Sequence, residues 1–305
     1  MGPTVGCGQT KTPRTQHKTI TMKMKFFAVM ASVALLAAGT TSCSSDNNDG
    51  ESGSAELLIP ESVVDGVRVQ SDGTTEFTFD QKTGAPLTAK YQSEPFVFNY
   101  AETRAKSTGK HLSSIVLSSS EAGVSYKAYN FAFNSKGYLT SMTEEMNYDR
   151  IALTLRFTIT YSNDRVTRIK YVADGYEGAE MYYDCKWNGK NLASVNMTDN
   201  SGKAETNFYE YDYVNAPNNK YNIWTYDMTG MFAASGHYAL LFFADLGYLG
   251  LPSQALPTIY SYTNKSAKNY LIGYETDNSG RVTAIYRYDE SGAQYNPTYY
   301  NYTKL

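Results

Sequence analysis

This 305-residue chain has few cysteines, few histidines and no long apolar run. Its 3 cysteines, Cys7, Cys43 and Cys185, are too few and too far apart for a disulfide framework. Among its 3 histidines, His111 and His237 follow the N-terminal region, and neither stands at a spacing to Cys or carboxylate that suits a metal site or a catalytic triad. No Gly-x-Ser-x-Gly elbow, phosphate loop or His-Glu-x-x-His is present. The apolar stretch Phe26 to Ala38, 13 residues long, is too short to cross a bilayer as a stable helix. Basic residues are not in excess either, with 27 Lys and Arg against 30 Asp and Glu. Nucleic acid is therefore an unsuitable partner, since phosphate neutralisation needs clustered positive charge.

What the chain has in quantity is tyrosine, 28 in all. Many of these sit in a recurring pattern whose clearest copy is Tyr129 to Met142. Tyr129, Phe131 and Phe133 alternate with small or polar residues, the period that puts aromatic side chains on one face of a strand. Asn134-Ser135-Lys136-Gly137 then supplies a turn, with Gly taking the positive φ that a type I turn closed by a G1 bulge requires. The same turn chemistry returns at Asp199 to Gly202, Asp277 to Gly280 and Asp289 to Gly292, with looser versions at Asp80 to Gly84, Ser162 to Arg165 and Asn188-Gly189. The residues opening the returning strands are Leu87, Leu112, Leu139, Val166, Leu192 and Val282, and the first five lie 25, 27, 27 and 26 residues apart. A repeat of that length predicts stacked hairpins in an antiparallel meander.

The opener is followed three residues later by a second apolar residue in Leu112/Ile115, Leu139/Met142, Val166/Ile169, Leu192/Val195 and Val282/Ile285. That spacing crosses from one strand face to the other. Either a bulge returns both side chains to one face, or both faces are partly buried. Residues 214–257 interrupt the repeat. Within them, Met231, Phe232, Ala234, Tyr238, Leu241, Phe242 and Leu246 recur at helical intervals, and Ala239 to Phe243 is too apolar for an exposed face. The expectation is an all-β meander of about 14 to 17 strands, curled or closed into a barrel-like sheet, with one mainly helical insertion capping or plugging it.

The N-terminal residues are expected to be processed. Residues 1–23 read as an upstream extension. Lys23, Lys25 and the apolar stretch that follows read as a signal peptide over residues 24–42. Thr40-Thr41-Ser42-Cys43 resembles the lipobox of bacterial lipoproteins, which implies lipidation of Cys43 and a flexible tether over 43–56, ahead of one domain at 57–305. Ser44 to Glu51 resembles the acidic export signal of Bacteroidota lipoproteins, implying an outer-membrane lipoprotein facing the exterior, with a periplasm-facing orientation as the alternative. Without residues 1–42, which hold five Lys or Arg and no acid, the chain keeps 22 basic and 30 acidic residues, a net charge near −8.

The hairpins at Phe131 to Leu139 and Tyr274 to Val282, with Gly247 to Pro252, resemble a Bacteroidota family of lipoproteins of unknown function described as having a porin-like fold; tyrosine-aspartate repeat proteins carry similar hairpins. The resemblance transfers no functional residue. Strands such as Glu144 to Tyr148 and Lys203 to Tyr211 mix charge with Tyr on both faces, which suits a soluble tethered barrel better than a transmembrane one.

For chemistry, His237 reads as a hydrogen-bonded core residue, the Asp-Asn-Ser-Gly segments as turns rather than calcium loops, and Glu144-Glu145 as a poor catalytic pair because adjacent strand residues face opposite ways. Trp187, Trp224 and Tyr226 are candidate aromatics for a solvent-facing ligand surface. The expectation is a non-enzymatic binding or accessory protein with a glycan or protein ligand and neither cofactor nor metal. A structural envelope lipoprotein acting through a protein partner is the alternative, and a glycoside hydrolase a weaker one.

Overall fold

The computed structural model describes residues 55–101, 111–118, 124–148, 151–175, 180–200, 204–264 and 266–304. The upstream extension, the signal peptide, Cys43 and the tether as far as residue 54 lie outside them.

The strands are β1 (Ala55–Glu56), β2 (Val67–Ser71), β3 (Thr75–Phe79), β4 (Pro86–Tyr91), β5 (Glu94–Ala101), β6 (His111–Leu117), β7 (Val124–Phe133), β8 (Leu139–Tyr148) and β9 (Ile151–Ser162). They continue as β10 (Arg165–Ala173), β11 (Met181–Asn188), β12 (Asn191–Asp199), β13 (Ala204–Asp212), β14 (Ile259–Asn264), β15 (Ser266–Thr276), β16 (Val282–Tyr288), β17 (Thr298–Tyr299) and β18 (Asn301–Lys304). From β2 to β17 each strand pairs antiparallel with the next. The last segment closes the ring: β17 pairs with β16 (Ala284↔Tyr299), and β18 pairs with β2 (Tyr302↔Val69). The seam is thin, since β2 and β3 share a single register pair, Ser71↔Glu76. β1, in the stretch expected to be tether, lies along β6 instead (Ala55↔Leu112).

Between β13 and β14 the chain forms α1 (Tyr226–Ala234) and α2 (Tyr238–Asp245), and every residue of α2 is buried. These helices are the expected plug. Phe242 packs on Phe77, Phe96 and Phe98; Phe243 packs on Phe131 and Phe133; Phe232 packs on Tyr183. Rings from β3, β5, β7 and β11 thus converge on the helices, and the aromatic alternation of the hairpins is the lining of a filled barrel. Downstream, residues 246–257 cross one end. Leu139 N–H donates to Tyr248, Leu251 N–H to Asp164 and Gln254 N–H to Lys190, so the tight turns of three hairpins rest on this segment.

The spacing of three resolves as a bulge, and the bulge leaves both apolar residues inside. In each of the five cases the register slips just after the opener, so that Leu112, Leu139, Val166, Leu192 and Val282 face inward together with Ile115, Met142, Ile169, Val195 and Ile285. The residues passed over are Ser113, Thr140, Thr167, Ala193 and Thr283, all small. Ser113 and Thr140 bond back to carbonyls of the neighbouring strand, Asn99 and Ala132. Leu87 is the exception: it is itself the bulged residue and lies exposed, while Pro86 takes the inward position.

Aromatic donors then return to the opener carbonyls. Tyr161 Oη donates to Leu139 O at 2.6 Å, Trp187 Nε1 to Val166 O at 2.7 Å, Tyr213 Oη to Leu192 O at 2.8 Å and Tyr302 Oη to Val282 O at 2.9 Å. The pairs are 22, 21, 21 and 20 residues apart, so the donors follow the repeat at these four openers. Tyr100 does the same for Pro86 O at 2.7 Å. Polar atoms at a buried bulge need partners, and a long aromatic with a terminal donor reaches them while filling the interior. This accounts for part of the tyrosine content.

The outward faces are polar over most of the ring. Arg168 pairs with Asp184, Lys170 with Glu180 and Arg156 with Asp174. Thr78 bonds Thr88 across the strands, and Lys127 lies over the Tyr129 ring.

Candidate functional site

Three places combine chemistry with a position that the sequence does not require for ordinary packing. The first is inside the barrel. Glu144, on β8, is 0% exposed and His237, just before α2, is 3% exposed. Glu144 Oε1 accepts from Tyr126 Oη at 2.6 Å, and Glu144 Oε2 meets His237 Nδ1 at 3.0 Å. Tyr126 Oη also accepts the Ala239 N–H at 2.8 Å. A carboxyl group therefore lies at the N-terminal end of α2, where unpaired N–H groups favour negative charge. Phe157, Tyr171 and Tyr183 ring the imidazole edge-on. His237 is thus a hydrogen-bonded core residue, as its surroundings in the sequence suggest. Glu145, one residue on, faces outward and bonds Tyr129 Oη at 2.6 Å, so the two glutamates take opposite faces. This chain of groups seats α2 against β7 and β8.

The second place is at the far end of α2. Asp245 is buried there, and burial first, with the Asp72 charge adding to it, pushes its carboxyl well above the ordinary carboxylate range. Asp72 Oδ1 accepts the Thr74 and Thr75 N–H groups at 2.9 and 2.6 Å, closing the β2–β3 turn. Burial raises the Asp72 carboxyl too, against the lowering effect of those bonds. The Oδ2 atoms of both acids lack a hydrogen-bond partner. Cys185 is a partly buried thiol that burial, with the Asp184 charge adding to it, pushes up to about 12.

The third place is outside, on β14 to β17. The register sets Ile259 opposite Leu271, Leu271 opposite Tyr288, Gly273 opposite Tyr286 and Ala284 opposite Tyr299, all on the outward face. Leu271 is 53% and Tyr299 56% exposed, and Tyr286 and Tyr288 are half-buried. Tyr286 Oη donates to Glu275 Oε1 at 2.8 Å, and this bond, followed by slight desolvation and the neighbouring Glu275, Tyr299 and Tyr288, pushes its hydroxyl up to about 12. The result is an apolar, tyrosine-bearing strip on an exterior that, among the described residues, is polar over most of the ring. Inside the same sector, Tyr209 lies against Tyr262 and Tyr260 stacks on Tyr270, at ring separations of 4.8 and 4.7 Å; these are cross-strand packing pairs.

No family model matches the chain, and no curated protein matches it. Solved structures do resemble it. One is described as a porin-like protein from Bacteroides uniformis ATCC 8492: 17% identical, covering 78% of this chain and 94% of that one, at a TM-score of 0.49. Another is described as a porin-like protein from Bacteroides vulgatus ATCC 8482: 15% identical, covering 78% of this chain and 100% of that one, at a TM-score of 0.48. At these levels the likeness assigns no role to any residue here.

Neither tryptophan singled out from the sequence belongs to the outer strip. Trp224 is 4% exposed, with its indole N–H directed at Gly250 O at 3.4 Å, so it is part of the core that closes the plugged end. Trp187 is half-buried and spends its donor on the Val166 carbonyl, while Arg165 covers its ring at 5.5 Å. The side chain of Tyr226 lies outside the described residues. The strip's own aromatics, half-buried Tyr286 and Tyr288 and exposed Tyr299, are hidden in the sequence among many similar tyrosines. The signal that separates them is parity: they stand on the face opposite Ile285, whose inward position the repeat predicts.

The turn readings hold where they are described. Asp277 Oδ1 accepts from Ser279 and Arg281 N–H groups, and Asp289 Oδ1 from Ser291 and Ala293. Each carboxylate is engaged by its own loop. Part of the Asp199 to Gly202 turn lies outside the described residues. Among the described residues there is no group of three or more His, Cys, Asp or Glu arranged to hold a metal ion.

Proposed function

We propose that this protein is an exported lipoprotein, tethered to the outer membrane through Cys43 and facing the cell exterior, that binds a ligand without transforming it. One observation carries the reading: the exposed tyrosine strip on β14 to β17, on a barrel whose interior is filled by its own helices. Contiguous exposed apolar surface on a soluble domain marks an interaction site, and tyrosine is the residue type such sites favour. The groups with catalytic chemistry, Glu144 and His237, are bonded to each other and buried.

The charged exterior supports a domain beside the membrane rather than through it. A Lys or Arg facing lipid at the bilayer midplane costs about 2–4 kcal/mol, and Arg156, Arg168 and Lys170 all face outward. Anchoring then falls to the lipid, and the strip is left to a partner.

The test is thermal unfolding of the purified protein against a panel of glycans, paired with crosslinking on intact cells. A ligand at 100 times its Kd stabilises by about 2.7 kcal/mol, and the midpoint should rise with it. Radiolabelled palmitate should enter the wild type and not Cys43→Ala. Turnover of any panel member, abolished by a point substitution in the barrel, would overturn the non-catalytic reading; absence of both a midpoint shift and a crosslinked partner would overturn binding.

A further inference from the structure

Resting on that binding reading, we infer that the strip on β14 to β17 is a subsite for a neutral glycan, with a sugar ring lying over Gly273 between Tyr286, Tyr288 and Tyr299. The first observation is the glycine itself. Gly273 sits in the middle of β15 with no left-handed φ, so its backbone accepts any residue. Packing does not demand it either. A Cβ placed there would meet nothing closer than Tyr286 Cβ at 3.8 Å and Tyr288 Cε2 at 3.9 Å, ordinary contact distances. Glycine within a strand is destabilising relative to alanine, and where neither φ nor crowding requires it, it marks a place where something else approaches the backbone closely. Here that place is a low floor bordered by the Cβ of Tyr286 and the edge of the Tyr288 ring.

Size and charge select the occupant. A stable protein interface uses about 20–30 residues a side, whereas the strip comprises Ile259, Leu271, Gly273, Tyr286, Tyr288 and Tyr299. That is the scale of a short oligosaccharide. Tyrosine rings offer apolar faces to the C–H side of a pyranose while their hydroxyls reach its hydroxyl groups. Carboxylates border the strip: Glu275 is bonded to Tyr286, and Asp212 lies opposite Ile259. These accept hydrogen bonds from sugar hydroxyls and repel uronates, sulfated glycans and phosphates.

The experiment is calorimetric titration of the full chain with neutral oligosaccharides (xylo-, manno- and malto-hexaose) and with oligogalacturonate, repeated on Gly273→Val, Tyr299→Ala and Tyr270→Ala. Valine fills the floor with a side chain that strands favour, and a thermal midpoint at or above that of the wild type shows that the variant is folded. The expected result is binding of a neutral hexaose but not of oligogalacturonate, weakened about tenfold or more by Gly273→Val and by Tyr299→Ala and unchanged by Tyr270→Ala. Binding lost only in Tyr270→Ala would move the ligand inside the barrel and overturn the strip while leaving the binding reading intact. Capture of a protein partner that Gly273→Val abolishes, with no glycan bound, would overturn the glycan and keep the strip. Tighter binding of oligogalacturonate than of any neutral hexaose would overturn the charge argument and the assignment with it.

Discussion

Two tyrosines on one strand offer a controlled measurement of what holds the plug. Tyr126 and Tyr129 both lie on β7, and both donate to a glutamate of β8 at 2.6 Å, Tyr126 to Glu144 inside the barrel and Tyr129 to Glu145 outside. The chemistry is matched; the surroundings are not. Replacing Tyr126 with Phe leaves Glu144 Oε1 without this donor and the Ala239 N–H without its acceptor. Orphaning a buried polar group costs about 1–3 kcal/mol, and losing an acceptor at a helix N-terminus costs about 1 kcal/mol more. Tyr126→Phe should therefore destabilise by about 2–4 kcal/mol. Tyr129→Phe exposes Glu145 to water that replaces the lost bond, and surface changes of this kind stay within about 0.5 kcal/mol.

For a domain of this size 1 kcal/mol moves Tm by about 2–4 °C. The interior variant should thus melt about 4–16 °C lower and the exterior one within about 2 °C of the wild type. Urea unfolding followed by tryptophan fluorescence is well placed to check this, since Trp224 is buried next to the plugged end. Adding Glu144→Gln to each variant completes a double-mutant cycle, which should show coupling with Tyr126 and none with Tyr129. Equal losses from the two Phe variants would refute the reasoning: the interior relay would then be no more than a side chain of the same size filling space.

The acid at the other end of α2 gives a pH dependence of definite sign. Because burial raises the Asp245 carboxyl above its ordinary 3.8, the folded protein holds that proton more tightly than the unfolded chain; stability is full below the ordinary value and is lost as pH rises above it toward the folded one. Asp245→Asn removes this slope, so its urea midpoint should exceed that of the wild type at pH 8 and approach it at pH 4; a wild type that gains stability from pH 4 to 8 relative to the variant would contradict this. The aromatic donors to the bulges make another prediction. Tyr161→Phe and Trp187→Phe should each cost about 1–3 kcal/mol by removing the donor to the Leu139 and Val166 carbonyls. Chemical denaturation measures both, and losses under about 0.5 kcal/mol would show that water replaces the donors.

Most of the barrel is legible in the sequence because its information is local. Turn residues such as Asn134 and Gly137 act on their own backbone, and the alternation of Tyr129, Phe131 and Phe133 needs only the pleat to be read. The pair Leu139/Met142 was ambiguous for a definite reason: a bulge at Thr140 and a second buried face give the same spacing, and only the partner register separates them. Leu87 misled because an opener and a bulged residue look alike when proline precedes them. What could not be read is convergence across long separations. Nothing near Glu144 in the chain announces His237, 93 residues away, as its partner.

The aromatics show the same limit from the other side. Trp187 and Trp224 are candidate ligand aromatics in the sequence, yet the fold uses both as donors to backbone carbonyls at bulges and crossings. At four of the five inward openers, Leu139, Val166, Leu192 and Val282, an aromatic 20 to 22 residues on supplies a donor to the bulge carbonyl; at Leu112 the corresponding residue is Phe133, which has none. Part of the tyrosine content is therefore a consequence of closing a bulged barrel, and a tyrosine whose hydroxyl serves a bulge carbonyl is not free to bind a ligand. Tyr299 escapes that task by position: it faces outward, on the side of the sheet away from the carbonyls that Tyr302 and its counterparts serve. The pattern that hides the site in the sequence is the one that, once the register is known, separates it from the scaffold.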